Sequence, residues 1–487
     1  MVELRPYQRD GVERIRSSFA AGRRRPIYVL PTGGGKTVTF CYITAGAASK
    51  SRVLILVHRR ELIWQTCAAL AEWDVPHGVI LSGEPMTSAP VQVASVQTLI
   101  KRLDVVGDFG LIIVDEAHHA VARQWTKVFD CWPNAPLLGV TASPARLDGK
   151  PLGDVFDDLV IGPTVTELQA LGHLAKVRVL APSAAEMQKR LKGVKVTAGD
   201  YNRGALDPIM RDRTVTGDAV RTYGQLLAGK PSIAFCVSVR HAEEVAQQFR
   251  EAGWVAVSVD GDMRKRDREA ALNGLANGQI NVITSCDLIS EGLDVPLTYG
   301  IIGLRPTKSL VLYLQQVGRG MRPKPDGHAC IYLDHAANVY KHGLPDLPRE
   351  WSLTAKLKRA SAKSPSTIKD CPECLSIVLR TEPACPVCGH VFVPPGLRDV
   401  GIRFKDGDLV EIAGMRFDAD VRLLPARDVI ARAQTRDELE AVRLLYGYRP
   451  GWVSHIRRAR RQKERRLEQQ RRERAAKLYW ANMERLL

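Results

Sequence analysis

Three groups of residues in this 487-residue chain have the types and spacing that chemistry requires. The first is Pro31-Thr32-Gly33-Gly34-Gly35-Lys36-Thr37, placed after the apolar run Ile27–Leu30 and before a helix-compatible segment. Consecutive glycines let backbone N–H groups converge on phosphate oxygens, and the helix start adds partial positive charge. Lys36 can reach the outer phosphates, and the Thr37 hydroxyl can ligate Mg²⁺. Leu30 stands where the generic phosphate-loop pattern has a first glycine. The second group is Asp115-Glu116-Ala117-His118-His119, at the end of the apolar run Leu111–Val114. Two adjacent acids closing a buried strand are costly without a cation. Asp115 suits Mg²⁺ and Glu116 an attacking water. The third group is Cys371-Pro-Glu-Cys374 and Cys385-Pro-Val-Cys388. Two such turns aim four thiolates at one point, the tetrahedral arrangement Zn²⁺ prefers; a redox dithiol is the alternative.

These groups need elements to hold them. Strand-length apolar runs separated by helix-compatible segments occur at 27–30, 53–57, 91–94, 111–114 and 137–140. A second set follows at 232–237, 255–259, 281–284, 300–304 and 330–333. That alternation predicts an α/β fold with two tandem parallel-sheet domains. The expected organisation is a first domain over 1–165, a connecting region over 166–229 and a second domain over 230–345. A linker over 346–369, a cysteine module over 370–395 and a basic helical region over 396–487 would follow. Gly401–Ile412 reads as a short strand-like patch, and Arg457–Arg485 as a long helix without Pro or Gly.

The order of short motifs resembles that of superfamily 2 nucleic-acid helicases with a DEAH-type box. Arg5-Pro-Tyr-Gln8 resembles the adenine-reading Q motif, and His58-Arg59-Arg60-Glu61-Leu62 a backbone-contact motif. Ser95-Val-Gln-Thr98 resembles the next backbone-contact motif, and Thr141-Ala-Ser143 the motif linking hydrolysis to strand movement. Ser290-Glu-Gly292-Leu-Asp294 resembles motif V; Gln315, Gly318, Arg319 and Arg322 fit motif VI. The match covers about residues 1–345. Its wording is most similar to DNA-directed RadD-type and XPB-like members, phage-encoded relatives included.

The resemblance implies two RecA-like domains with ATP between them. Thr32, Gly33, Gly34, Gly35, Lys36 and Thr37 would hold the phosphates, with Arg5 and Gln8 at the base and Gly292 and Asp294 opposite. Thr37 and Asp115 would hold Mg²⁺, Glu116 would activate water, and His118 would couple the γ-phosphate to Thr141–Ser143. Gln315, Arg319 and Arg322 would arrive when the cleft closes, the arginines as fingers. Arg59, Ser95, Thr98 and Thr284 would touch nucleic acid. The implied activity is an ATP-dependent DNA helicase or translocase in repair, recombination or replication. RNA as substrate, a duplex motor or annealing enzyme, an ATPase-dead scaffold and the motor half of a restriction system are the competing readings. The resemblance also implies a monomer.

Composition agrees with a polyanionic partner. Lys plus Arg is 70 against 53 Asp plus Glu, a net charge of +17. Residues 451–487 hold 12 Lys/Arg and 4 Glu, +8 of that excess. The Arg run over 457–474 reads as a nucleic-acid contact or a protein-partner site. Tyr446, Tyr448 and Trp452 just before it read as docking or base-stacking aromatics. No run reaches the about 20 apolar residues of a membrane span, and Met1–Arg9 has no signal-like apolar stretch. A cytoplasmic location is the expectation. The other six cysteines, Cys41, Cys67, Cys131, Cys236, Cys286 and Cys330, read as small buried hydrophobes.

Overall fold

The computed structural model describes every residue except 1–2, 147–150, 183–188, 198, 287–296, 355–367, 393–432, 434, 446–452 and 459–487. The expected strand-like patch over 401–412 and the aromatic cluster over 446–452 lie outside the described residues. So does the tail beyond Arg458. The chain divides into two compact units, Met1–Thr381 and Glu382–Leu487.

The first unit is built on two parallel sheets. One joins β1 (Pro26–Val29), β2 (Val53–Val57), β3 (His77–Ile80), β4 (Val91–Ser95), β5 (Leu111–Asp115), β6 (Leu137–Thr141) and β7 (Asp158–Ile161). Their order is β3-β4-β2-β5-β6-β1-β7. The five strands expected from apolar runs are those whose residues are all buried. A strand covered on both faces is apolar at nearly every position, which is why it is readable; the polar exceptions sit at strand ends or, like Gln92 of β4, donate their amide to nearby carbonyls. Along β2, Val53, Ile55 and Val57 join one core while Leu54 and Leu56 join the core on the opposite face. β3 and β7 lie at the sheet's edges and are half-exposed, so their sequences carry His77, Gly78 and Asp158.

After β7, helix Val165–Ala170 starts with a capping box. The Thr164 hydroxyl accepts the Glu167 N–H, and the Glu167 carboxylate accepts the Thr164 N–H. The chain then enters the second sheet through β8 (Val177–Leu180). The region expected only to connect the domains thus supplies an edge strand. β9 (Val196–Thr197) and β10 (Asp200–Tyr201) form a small antiparallel hairpin. The sheet continues with β11 (Ser232–Phe235), β12 (Ala256–Val259), β13 (Val282–Ser285), β14 (Gly300–Gly303) and β15 (Cys330–Leu333). Its order is β12-β13-β11-β14-β15-β8, with every pairing parallel. Ile233 and Phe235 of β11 face one core, and Ala234 the other. The chain then returns to the first sheet's side, where the Gly153 N–H donates to the Leu353 carbonyl at 2.9 Å.

β16 (Ile368–Asp370) and β17 (Ile377–Leu379) form a hairpin that joins the open edge of β8 through a Leu180–Ser376 bridge. The second unit, among the described residues, contains a tight turn at Cys385–Gly389, helix Arg436–Leu445 and a helical stretch over 453–458. No helix among the described residues is long and apolar enough to cross a membrane.

Candidate active site

The phosphate loop forms as its glycines require. β1 ends at Val29, and the Leu30 N–H is held by the Thr141 carbonyl at 3.0 Å. Gly33 and Gly35 take φ of +83° and +86°, the left-handed region closed to most side chains. A Cβ on Gly35 would also lie 2.3 Å from the Gln8 amide nitrogen. Helix Lys36–Ala48 begins directly after Gly35 and points its unsatisfied N–H groups at the loop. At position 30, where the generic pattern has glycine, Leu30 continues the buried strand with no exposed surface.

Gln8 and its neighbours brace this loop. The Tyr7 hydroxyl donates to the Gly34 carbonyl at 2.9 Å, and the Gln8 amide approaches the same oxygen at 3.5 Å. The Gln8 side-chain oxygen accepts the Arg5 N–H at 2.9 Å, leaving Arg5 exposed. Tyr7 also packs on His173, ring centroids 5.2 Å apart. Tyr7 as a brace was not foreseen; its signal was its place beside Gln8 in the same motif.

The acidic motif closes β5. Asp115 is 6% exposed, and its carboxylate accepts the Glu116 N–H at 2.9 Å. Burial, then the Glu116 charge, push the Asp115 pKa up, and Lys36 pulls it back. A carboxylate in this position fits a divalent cation that restores its charged form. Glu116 itself sits at φ +49°, a left-handed conformation that a non-glycine residue adopts only under local constraint. His118 joins the acid to the next motif: its Nδ1 lies 3.4 Å from the Glu116 carboxylate and 3.2 Å from the Thr141 hydroxyl. Thr141 in turn accepts the Ser143 N–H at 3.2 Å. A stack of rings runs on from it, His118 to His119 at 4.2 Å and His119 to His58 at 4.5 Å. The stack ends beside Arg59, whose Nε donates to His58 at 3.3 Å.

The second sheet brings helix Leu310–Gly318 against the loop. Gly318 packs so closely that an added Cβ would lie 2.7 Å from the Thr32 Cβ. Gln315 is 2% exposed, and neither polar atom of its amide has a partner among the described residues. A buried, unsatisfied amide beside a phosphate loop fits a substrate-facing role. Arg319 follows Gly318 at the helix end and is half-buried, whereas Arg322 is exposed. Arg268 reaches Glu61 at 3.6 Å, a link between the two sheets' helices that the sequence did not signal. Gly292 and Asp294 lie outside the described residues.

The expected nucleic-acid contacts separate. Arg59 and Thr98 are half-buried at the starts of their helices. Ser95 is buried and donates to Gln97 at 2.6 Å. Thr284 is fully buried on β13, and its hydroxyl donates to the Ala242 carbonyl at 2.7 Å. Thr284 faces a core rather than a surface, because both faces of β13 are covered.

The cysteines converge. All four sulfurs lie within 4.8 Å of one another, compatible with the roughly 3.8 Å sulfur spacing that a tetrahedron of about 2.3 Å Zn–S bonds demands. Each CPxC forms the same turn: Leu375 N–H to Cys371 carbonyl at 2.9 Å, and Gly389 N–H to Cys385 carbonyl at 2.8 Å. Arg178 of β8 secures the first turn, donating to the Ser376 hydroxyl at 2.8 Å and the Cys374 carbonyl at 2.9 Å. Of the other cysteines, Cys41, Cys67, Cys236 and Cys330 are buried as expected; Cys286 is half-buried, and Cys131 is exposed at the end of its helix.

Comparison with known proteins agrees with this geometry. Residues 1–146 match the family described as type III restriction enzyme, res subunit. Residues 218–324 match the helicase conserved C-terminal domain. A 51.5 kDa protein of Lactococcus phage (isolate 7-9) is 35% identical over 74% of this chain and 77% of its own length. The chain belongs to the superfamily 2 helicases. It is an ATP-hydrolysing nucleic-acid helicase. The DNA 3'-5' translocase XPB2 of Sulfurisphaera tokodaii is 27% identical over 66% of this helicase and 79% of its own length. Among solved structures, a fragment assigned as the HsdR subunit of a type I restriction enzyme from Vibrio vulnificus YJ016 aligns with TM-score 0.56. It has 21% identity over 70% of this chain and 65% of that one, a likeness of fold.

Proposed function

We propose that this helicase is a DNA motor whose ATP hydrolysis is gated by closure of the cleft between its two sheets. The observation that carries the reading is the contact of Gly318 with Thr32, which sets the end of helix Leu310–Gly318 on the phosphate loop. Lys36 and the loop N–H groups bind the phosphates, and Thr37 with Asp115 would hold Mg²⁺. That ion would neutralise phosphate charge and orient the outer phosphates. Glu116 accepts the proton of the attacking water. Arg319 and Arg322 stabilise charge on the transferred phosphoryl, with Gln315 beside them. His118 carries the state of the site to Thr141 and Ser143, and from there toward nucleic acid at Arg59 and Thr98.

DNA is the favoured partner because the translocase relative is named for DNA and the net charge is +17. Movement on duplex and separation of strands are both open to such a motor; repair, recombination and replication would use either. We further propose that the four cysteines hold one structural Zn²⁺, that the motor acts as a monomer, and that the basic tail adds DNA or protein contacts. Paired thiolates of this kind favour a reducing compartment, the cytoplasm.

The test is ATP turnover with single-stranded, duplex and forked DNA and with RNA. Turnover stimulated by a DNA form supports the reading, and stimulation by RNA alone overturns the choice of DNA. Lys36→Ala is expected to abolish turnover while DNA binding persists; near-normal turnover would reject the phosphate-loop assignment. Metal analysis is expected to find one zinc per chain.

A further inference from the structure

The segment between β8 and β11 holds a feature that the ATP chemistry does not use. Its β9–β10 hairpin and the following helix, Arg203–Met210, are fastened to the carboxyl edge of the second sheet. The Asp200 carboxylate accepts the Thr307 hydroxyl at 2.7 Å and the Lys308 N–H at 2.6 Å, just beyond β14. Asp207 pairs with the Ser238 hydroxyl, just beyond β11, and Leu206 and Met210 sink into the sheet's core. Because every strand of this sheet is parallel, these attachment points share one edge, the edge where α/β sheets receive ligands.

The outer side of the segment is basic. Lys189, Lys192 and Lys195 recur every third residue and are all exposed. Lys308 and Lys341 place their ammonium groups 4.8 and 5.2 Å from the centre of one ring, Tyr201. The face of the Tyr201 ring holds both cations at this edge of the sheet. The acids of residues 189–212 are already engaged: Asp200 and Asp207 as above, and Asp212 with Arg190 at 3.8 Å.

We propose that this hairpin is an accessory pad for the nucleic-acid backbone, with Lys189, Lys192, Lys195 and Lys308 contacting phosphates. Lysines without a planar fork read charge rather than sequence, so the pad adds grip to any sequence. The proposal rests on the reading that this motor binds DNA.

The experiment measures duplex DNA affinity of the full-length protein across a salt series, with melting temperature and DNA-free ATP turnover as controls. Lys189→Ala/Lys192→Ala/Lys195→Ala is expected to reduce the salt slope by about 1 per lysine and to weaken binding roughly tenfold or more at 100 mM salt. Its melting temperature and DNA-free turnover should stay unchanged. Asp200→Ala sharpens the test, because it removes both acceptor oxygens. Removing a negative charge tightens DNA binding by electrostatics alone, whereas releasing the hairpin from Thr307 and Lys308 weakens it. Weaker binding supports the pad. A wild-type salt slope in the triple variant, or tighter binding by Asp200→Ala, overturns it. Wild-type protein that binds no DNA would reject the motor reading itself, a result distinct from wild-type binding with unaltered variants.

Discussion

Gly318→Ala tests whether closure gates hydrolysis. The added methyl would meet the Thr32 Cβ at 2.7 Å, its Cγ2 at 2.9 Å and its Oγ1 at 3.3 Å. Carbon pairs prefer about 3.5–4.0 Å, so the helix end or the loop must retreat by roughly 1 Å. Thr32 is β-branched and cannot swing its Cβ aside. Overpacking of this kind costs about 1–3 kcal/mol, and the cost falls on the closed cleft alone. The closed population, and with it kcat, should fall about 5- to 150-fold, since about 1.4 kcal/mol is a factor of ten. Helix propensity works the other way: Ala is favoured over Gly by up to about 1 kcal/mol. The folded protein should therefore melt no lower than wild type. Nucleotide binding to the first sheet's loop should change much less than turnover. The assay is steady-state ATP turnover with saturating DNA, alongside equilibrium binding of a fluorescent nucleotide. Thr32→Ser on the Gly318→Ala background removes the Cγ2 clash and should recover part of the loss. Turnover within twofold of wild type in Gly318→Ala would refute the reasoning, because closure would then tolerate a gap at this contact.

Other expected outcomes follow from single contacts. Thr141→Val keeps the shape of the side chain but removes the hydroxyl that meets His118 and the Ser143 N–H. It should cost about 1–3 kcal/mol in stability and reduce DNA movement, followed by triplex displacement, more than ATP turnover. Arg178→Ala removes both bonds to the first cysteine turn. Chelators should then strip zinc faster, and amides of β16 and β17 should exchange faster, with DNA-free turnover unchanged. Burial lowers the pKa of His241, His335 and His342, each to about 4. Histidines held neutral in the folded state stabilise fully above their unfolded pKa near 6.5, and that stability is lost as pH falls toward 4. Asp334, pushed up to about 6 by burial, acts oppositely, losing its contribution as pH rises through 6. Asp115, also pushed up to about 6, acts as Asp334 does; three histidines outweigh the two carboxyls, so the melting temperature should fall between pH 7 and pH 5. His241→Asn, whose side-chain oxygen can accept the Val237 N–H that His241 Nδ1 now accepts at 3.2 Å, should flatten part of that slope.

The sequence showed most where burial left it little choice. Strands covered on both faces, such as β2 and β5, are apolar along nearly all their length and were readable as runs, β5 turning polar only at its last residue, Asp115. The edge strands β3, β7 and β8 are half-exposed and tolerate polar residues, so no run marked them. The phosphate loop and the cysteine turns were legible because their backbone geometry restricts residue type, as the left-handed Gly35 and Gly389 show. Thr284 was not legible in this way. Its residue type suits both a phosphate contact and a buried hydroxyl bonded to a carbonyl, and only the packing of β13 distinguishes them.

The longest-range features depend on pairs that no local pattern encodes. Arg268 and Glu61 are more than 200 positions apart in the chain, yet they link the helices of the two sheets. Gly318 and Thr32 meet across the same cleft, and there the residue type does leave a trace: a glycine at a helix end where a side chain would collide. The same logic extends to the connection from acid to nucleic-acid motif. Glu116 is held left-handed at φ +49°, and its neighbour His118 bridges to Thr141, whose own carbonyl holds the loop residue Leu30. A shift of phosphate charge at the loop therefore meets a short path, Leu30 to Thr141 to His118, with the Glu116 carboxylate 3.4 Å from the same imidazole nitrogen. A motor needs such stiffness between its fuel site and its track. In this chain it comes from hydrogen bonds between neighbouring strand ends, β1, β5 and β6, which the sheet order places side by side.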